Sequence, residues 1–125
     1  MDRIGISFDF EKSAADGSFV RGWASVVSMN GSPVEDTQGD IIAMDELKKA
    51  AHDFITNARV AKAMHAGSQV GEVVESVIVD DEFAKALGAN TTKRGWWIGM
   101  QINDPTIRKR VQSRELRAFS IGGKG

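Results

Sequence analysis

Apolar side chains at the start of the chain fall on alternate positions. Ile4, Ile6, Phe8 and Phe10 share one side of an extended chain while Gly5, Ser7 and Asp9 take the other, a period of two that predicts a half-buried strand. The Asp-Gly of "AADGS" (14–18) then reads as a turn, and "FVRGWASVVSM" from Phe19 resumes a β-rich run, so the pair predicts a hairpin. "NGSPVEDTQGD" reads as a polar connection broken by Asn30-Gly31, Pro33 and Gly39. From Ala43 the period lengthens. Leu47, Ala50, Ala51 and Phe54 recur every three or four residues with Glu46, Lys48, Lys49 and Asp53 facing away, which predicts an amphipathic helix of about three turns. "VAKAMH" and the Val-rich "VGEVVESVIVDD" read as strands, and "DDEFAKALGAN" as a short helix stopped by Gly88. "GWWIGMQI" (95–102) and "LRAFSIGG" (116–123) are the last predicted strands. Between them "DPTIRKRVQS" forms a short helix with Asp104 as N-cap and Pro105 in its first turn. The order predicts an α+β domain: a mostly antiparallel β-barrel or curved sheet flanked by two or three short helices.

Composition narrows the class without changing the fold. A length of 125 residues suits one domain, 1–125, with a single core. Sixteen Lys and Arg against seventeen Asp and Glu leave no positive field for a phosphate backbone, so nucleic acid is not an expected partner. The absence of cysteine excludes a disulfide framework, a thiolate nucleophile and a thiolate metal site. No apolar run reaches the roughly 18 residues of a bilayer span, so no membrane partner is expected. "MDRIGISFDF" has neither a basic n-region nor an apolar h-region, which points to the cytoplasm.

Few side chains can act as a base near neutrality. His52 borders the apolar stripe of the predicted helix and reads as a solvated or structural residue. His65 ends a strand ahead of Ala66-Gly67-Ser68, and strand ends feeding loops are where catalytic groups are commonly held. Ser120 in "FSIGG" taken alone reads as a small residue closing a strand, because Ala118 replaces the first glycine of a nucleophile elbow. As a nucleophile it needs a base, an orienting group and backbone donors for the oxyanion, and Gly122 and Gly123 would let the backbone approach a substrate. Two histidines without HExxH-like spacing argue against a zinc site, and "GGKG" lacks the rest of a Walker loop; no metal or cofactor is expected. Trp96 and Trp97 are consecutive and so leave a strand by opposite faces, one into the core and one toward a covering element or, in a homo-oligomer, a second copy.

The ordered blocks "RGWASV", "DTQGDII", "LKKAAHDF", "KAMHAG", "VGEVVES", "GWWIGMQI" and "ELRAFSIGG" resemble the XkdF-like phage serine proteases. These group with the prohead proteases of tailed phages and, further off, the herpesvirus assemblins. The resemblance implies a prohead protease/assemblin-like fold and a serine endopeptidase that works inside the procapsid in the bacterial cytoplasm, cutting scaffold and major capsid protein. It makes Ser120 the nucleophile and His65 the general base. The third member is acidic or a second histidine in such enzymes and can follow the serine, whereas only Ile121 to Gly125 follow here, so C-terminal family sequence is expected to be missing. Asp36, Asp40, Glu72 and Glu75 are the acids left to orient His65, and Glu72, just after the histidine turn, is the first choice. The alternative function is a catalytically silent capsid-assembly or scaffold-binding module of the same fold. The protease reading requires His65 and Ser120 on adjacent strands with converging side chains.

Overall fold

A computed structural model describes residues 6–35, 41–58, 62–66 and 68–122. Strand β1 (Ile6–Ser13) turns back into β2 (Phe19–Met29) as the alternation predicts. The turn is set by Gly17 at φ 75°, and the Asp16 carboxylate accepts from the backbone N–H of Ser18 at 3.0 Å and its hydroxyl at 2.6 Å. Those two bonds hold the Asp16 carboxyl below its ordinary range. The Asn30-Gly31 pair does more than break the chain. Asn30 (φ 55°) and Gly31 (φ 81°) take the two left-handed positions of a tight hairpin turn, so Ser32–Pro33 returns as a short strand β3 beside β2. The connection expected from Asn30 therefore starts only after Pro33, which sits on an edge strand, where its missing N–H costs nothing.

Helix α1 (Met44–Ala58) is followed by β4 (Lys62–His65), β5 (Ser68–Val79), α2 (Asp81–Leu87), β6 (Lys93–Ile102), α3 (Pro105–Gln112) and β7 (Ala118–Gly122). At 15 residues α1 runs about a turn beyond the expected three. Asp104 caps α3 as the sequence predicts, accepting from Thr106 N–H at 2.9 Å, and Gly88 ends α2 at φ 67°; Asp80, which the sequence reading did not single out, caps α2 by accepting from Phe83 N–H at 2.8 Å. The strands pair antiparallel in the order β1-β7-β4-β5-β6-β2, and β1 closes back onto β2. The result is a closed six-stranded antiparallel barrel with three short helices, the α+β architecture expected.

Closure needs curvature, and bulges supply it. β5 carries an extra residue against β4 between Gly71 and Gln69 and another against β6 between Val73 and Glu75. Gly71 lets β5 approach β6, since a Cβ there would overlap the carbonyl oxygen of Gln101. The core joins Val20, Ile98, Met100, Ile102 and Ile121 of the barrel to Leu47, Ala51 and Phe54 of α1 and to Ile107 and Val111 of α3. Trp96 is buried, stands edge-on to Phe54 at 5.6 Å and donates its indole N–H to Ser76 Oγ at 2.8 Å. Trp97 leaves by the other face and meets Trp23 of β2 at 5.1 Å, so its contact lies within the chain.

Candidate active site

The parity of β7 decides what each of its residues can touch. Phe119 and Ile121 are buried and Ser120 is exposed, so the serine stands on the outer wall of the barrel between two core anchors. Its neighbours across the ladder are Ser7 of β1 and Met64 of β4. Along β4, Lys62 is exposed, Ala63 is fully buried, and Met64 and His65 are half-buried.

The structure brings His65 and Ser120 to neighbouring strands, one register step apart. Their side chains leave by different faces. Met64 opposes Ser120 on the outer wall, whereas the His65 ring lies edge-on to the buried Phe119 at 6.3 Å. Phe119 in turn stacks on Phe10 at 5.4 Å, which fixes the wall that the imidazole leans on. Among the described residues no hydrogen bond engages the Ser120 hydroxyl.

The neighbour of His65 is instead a cation from α3. Arg110 Nη1 lies 3.5 Å from His65 Nε2, and Arg110 Nε is paired with Glu115 Oε2 at 3.2 Å. A guanidinium only donates, so in this contact Nε2 is placed as the acceptor. Sequence reasoning missed this Glu115–Arg110–His65 chain. Its one local signal, a separation of five positions from Arg110 to Glu115, is not a helix-face spacing; the pair closes across the turn after α3, where Ser113 N–H bonds Lys109 O and Leu116 N–H bonds Arg110 O.

The remaining candidates are distributed as follows. Glu72 lies on β5 just after the histidine turn, opposite Lys62 of β4 and Gln101 of β6, three residues along β4 from His65. No hydrogen bond joins Glu72 to the imidazole among the described residues. Glu75 is committed elsewhere: Arg21 grips it at 2.7 and 2.9 Å, and the guanidinium also lies over the Phe19 ring at 4.8 Å. The Arg21 hydrogen bonds hold the Glu75 carboxyl below its ordinary range. Gly122 opposes Lys62 at the end of β7. Gly123, Asp36 and Asp40 lie outside the described residues. His52 is exposed on α1, as expected of a solvated residue. A groove of about 530 Å³ is lined by Val27, Ile42, Met44, Lys48, Asp80 and Arg94 and includes neither Ser120 nor His65.

The profile of the family described as "Putative phage serine protease XkdF" matches residues 9–125. Two curated relatives come from Bacillus subtilis (strain 168). "Uncharacterized protein YqbD" is 30% identical over 89 residues, 70% of this chain and 27% of that protein. "Phage-like element PBSX protein XkdF" is 28% identical over 91 residues, 72% of this chain and 32% of that protein. The chain therefore spans under a third of the length of either relative. No solved structure matches.

Proposed function

The chain belongs to the XkdF family of phage proteins, and from that premise we propose that it is a serine endopeptidase of capsid maturation, cutting scaffold and major capsid protein inside the procapsid in the bacterial cytoplasm. The family description supports a phage serine protease at the coarser level. The observation that carries the reading is the setting of Ser120: an exposed hydroxyl on a barrel strand, pinned by buried residues on both sides, with the histidine one register step away.

In this mechanism Ser120 Oγ attacks the peptide carbonyl while His65 takes the hydroxyl proton. The tetrahedral intermediate collapses with loss of the C–N bond, and His65 passes the proton to the departing amine. Water then repeats the sequence on the acyl-enzyme and frees Ser120. For His65 to act, the end of β4 turns its ring from the Phe119 side to the Ser120 side. Ala66, at φ 52°, opens the turn that follows β4. Catalytic hydrogen bonds are often long in the resting enzyme and tighten only with substrate.

A second reading, the catalytically silent scaffold-binding module, draws on the same ring: His65 faces Arg110 rather than Ser120. Co-expression of the chain with its cognate scaffold and capsid proteins separates the two. The protease reading expects scaffold cleavage that Ser120→Ala abolishes. Cleavage that survives Ser120→Ala unchanged overturns it.

A further inference from the structure

Parity places a second functional group on the outer wall beside Ser120. Lys62 is two residues before Met64, the direct partner of Ser120, and so occupies the diagonal position on the same face. Diagonal neighbours in such a ladder are about 7–8 Å apart, within reach of a long side chain. The residue directly opposite Lys62 is Gly122, which carries no side chain to block the lysine stem from lying across β7 toward Ser120. On the other side Lys62 faces Glu72.

The charge of Lys62 is also uncommitted. Arg21, Lys48, Lys93, Arg94 and Arg110 each hold a carboxylate within 4 Å, whereas Lys62 makes no such pair among the described residues. Its side chain is exposed, so the ammonium is free to turn from Glu72 toward a bound substrate.

We propose that Lys62 is a catalytic residue that donates a charged hydrogen bond to the oxyanion formed when Ser120 attacks the scissile carbonyl. The inference rests on Ser120 being the nucleophile. Negative charge develops on the carbonyl oxygen in that step and is absent from the bound peptide, so a cation placed there favours the transition state over the ground state. No bond to Lys62 is made or broken. Its protons stay on Nζ, the hydroxyl proton goes to the general base, and the oxyanion returns to a carbonyl when the leaving group departs.

The test is the labelling rate of the chain by a small alkyl fluorophosphonate, followed by intact mass. Ser120 Oγ attacks phosphorus, fluoride leaves, and the phosphoryl oxygen bears the charge that the oxyanion would carry. Wild type is expected to gain one label, lost in Ser120→Ala. Lys62→Met should slow labelling about 10²-fold, the size of losing one oxyanion donor. Lys62→Arg should restore it to within about tenfold, since the guanidinium keeps the charge at a different reach. A purely structural lysine predicts a lower melting temperature and no such rescue; a thermal melt of Lys62→Met checks that folding is unchanged. Labelling of Lys62→Met at the wild-type rate overturns the inference and leaves Ser120 as nucleophile. Failure of wild type to label at Ser120 overturns the nucleophile reading and the inference together.

Discussion

Replacing Arg110 by methionine should make the proposed protease faster. Arg110 adds a contact to the His65 ring on the side away from Ser120, where strand parity puts it, and Glu115 pairs with Arg110. The His65 contact is long at 3.5 Å, and the arginine side chain is 35% exposed, so it belongs at the weak end of the hydrogen-bond range, about 0.5–1 kcal/mol. Removing it shifts the ring population toward the Ser120 side by that amount, a gain of about two- to five-fold in the rate at which Ser120 reacts. Methionine keeps the unbranched stem packed on the end of the barrel, and the lost Glu115 pair is a partly exposed one worth under about 1 kcal/mol. Fluorophosphonate labelling at substoichiometric probe reads the rate directly, and a thermal melt checks the fold. A rate that falls with Arg110→Met, while the melt is unchanged, refutes the reasoning: the arginine would then be orienting His65 for catalysis rather than restraining it.

Two further predictions concern the scaffold of the site. Gly71→Ala forces a methyl into the Gln101 carbonyl, with the Gln101 carbonyl carbon and Ile102 Cα both at 3.0 Å, and only backbone movement between β5 and β6 can relieve it. The expected cost is about 1–3 kcal/mol in a chemical melt, and labelling at Ser120 should fall about 10²-fold because Gly71 also pairs with Ala63 of β4, so its displacement moves the strand beside Ser120; a neutral substitution on both counts would show that the close strand approach does not matter. Asp80→Ala should lower the melting temperature by about 4 °C through loss of the α2 cap, whereas Asp80→Asn, also a good N-cap, should stay near wild type at neutral pH. The backbone N–H of Phe83, then Lys48 at 3.1 Å, hold the Asp80 carboxyl below its ordinary range. A carboxyl depressed on folding stabilises fully above its unfolded pKa of about 4 and loses that contribution as pH falls through the lower folded value. Wild type should therefore lose stability relative to Asp80→Asn on acidification in that window, and a pH-independent difference would count against the assignment.

Much of this architecture was readable because local signals agreed with the fold. Asp104, Gly88 and the Asp16-Gly17 turn each satisfy backbone groups within a few residues of themselves, so their chemistry is written where it acts. The adjacency of β4 and β7 was expected only from the family resemblance, because the strands are separated by more than fifty residues and nothing local encodes their register. Register is where the site departed from expectation. His65 and Ser120 were expected to converge, and a single step of alternation sends them to different faces. Lys62, unremarkable in sequence, and Glu115, placed after a turn, became relevant for the same reason: both are brought into position by pairings that no spacing motif reports. Asn30-Gly31 shows the opposite error, a hairpin signal read as a breaker because the strand it starts is only two residues long.

The bulge between Ala63 and Met64 gives the site a kind of arithmetic. Beyond that point β5 is offset from β4 by one residue, the residue absorbed at Val70, while β4 keeps an unbroken count against β7. Length changes in β5 can thus be taken up locally without altering which side chains sit beside the serine. β4 has no such buffer against β7. One residue more or less before Met64 would exchange the outer pair Lys62 and Met64 for the inner pair Ala63 and His65, turning a lysine-flanked serine into a histidine-flanked one. For this barrel the count of residues in its shortest full barrel strand is as much a chemical variable as their identity.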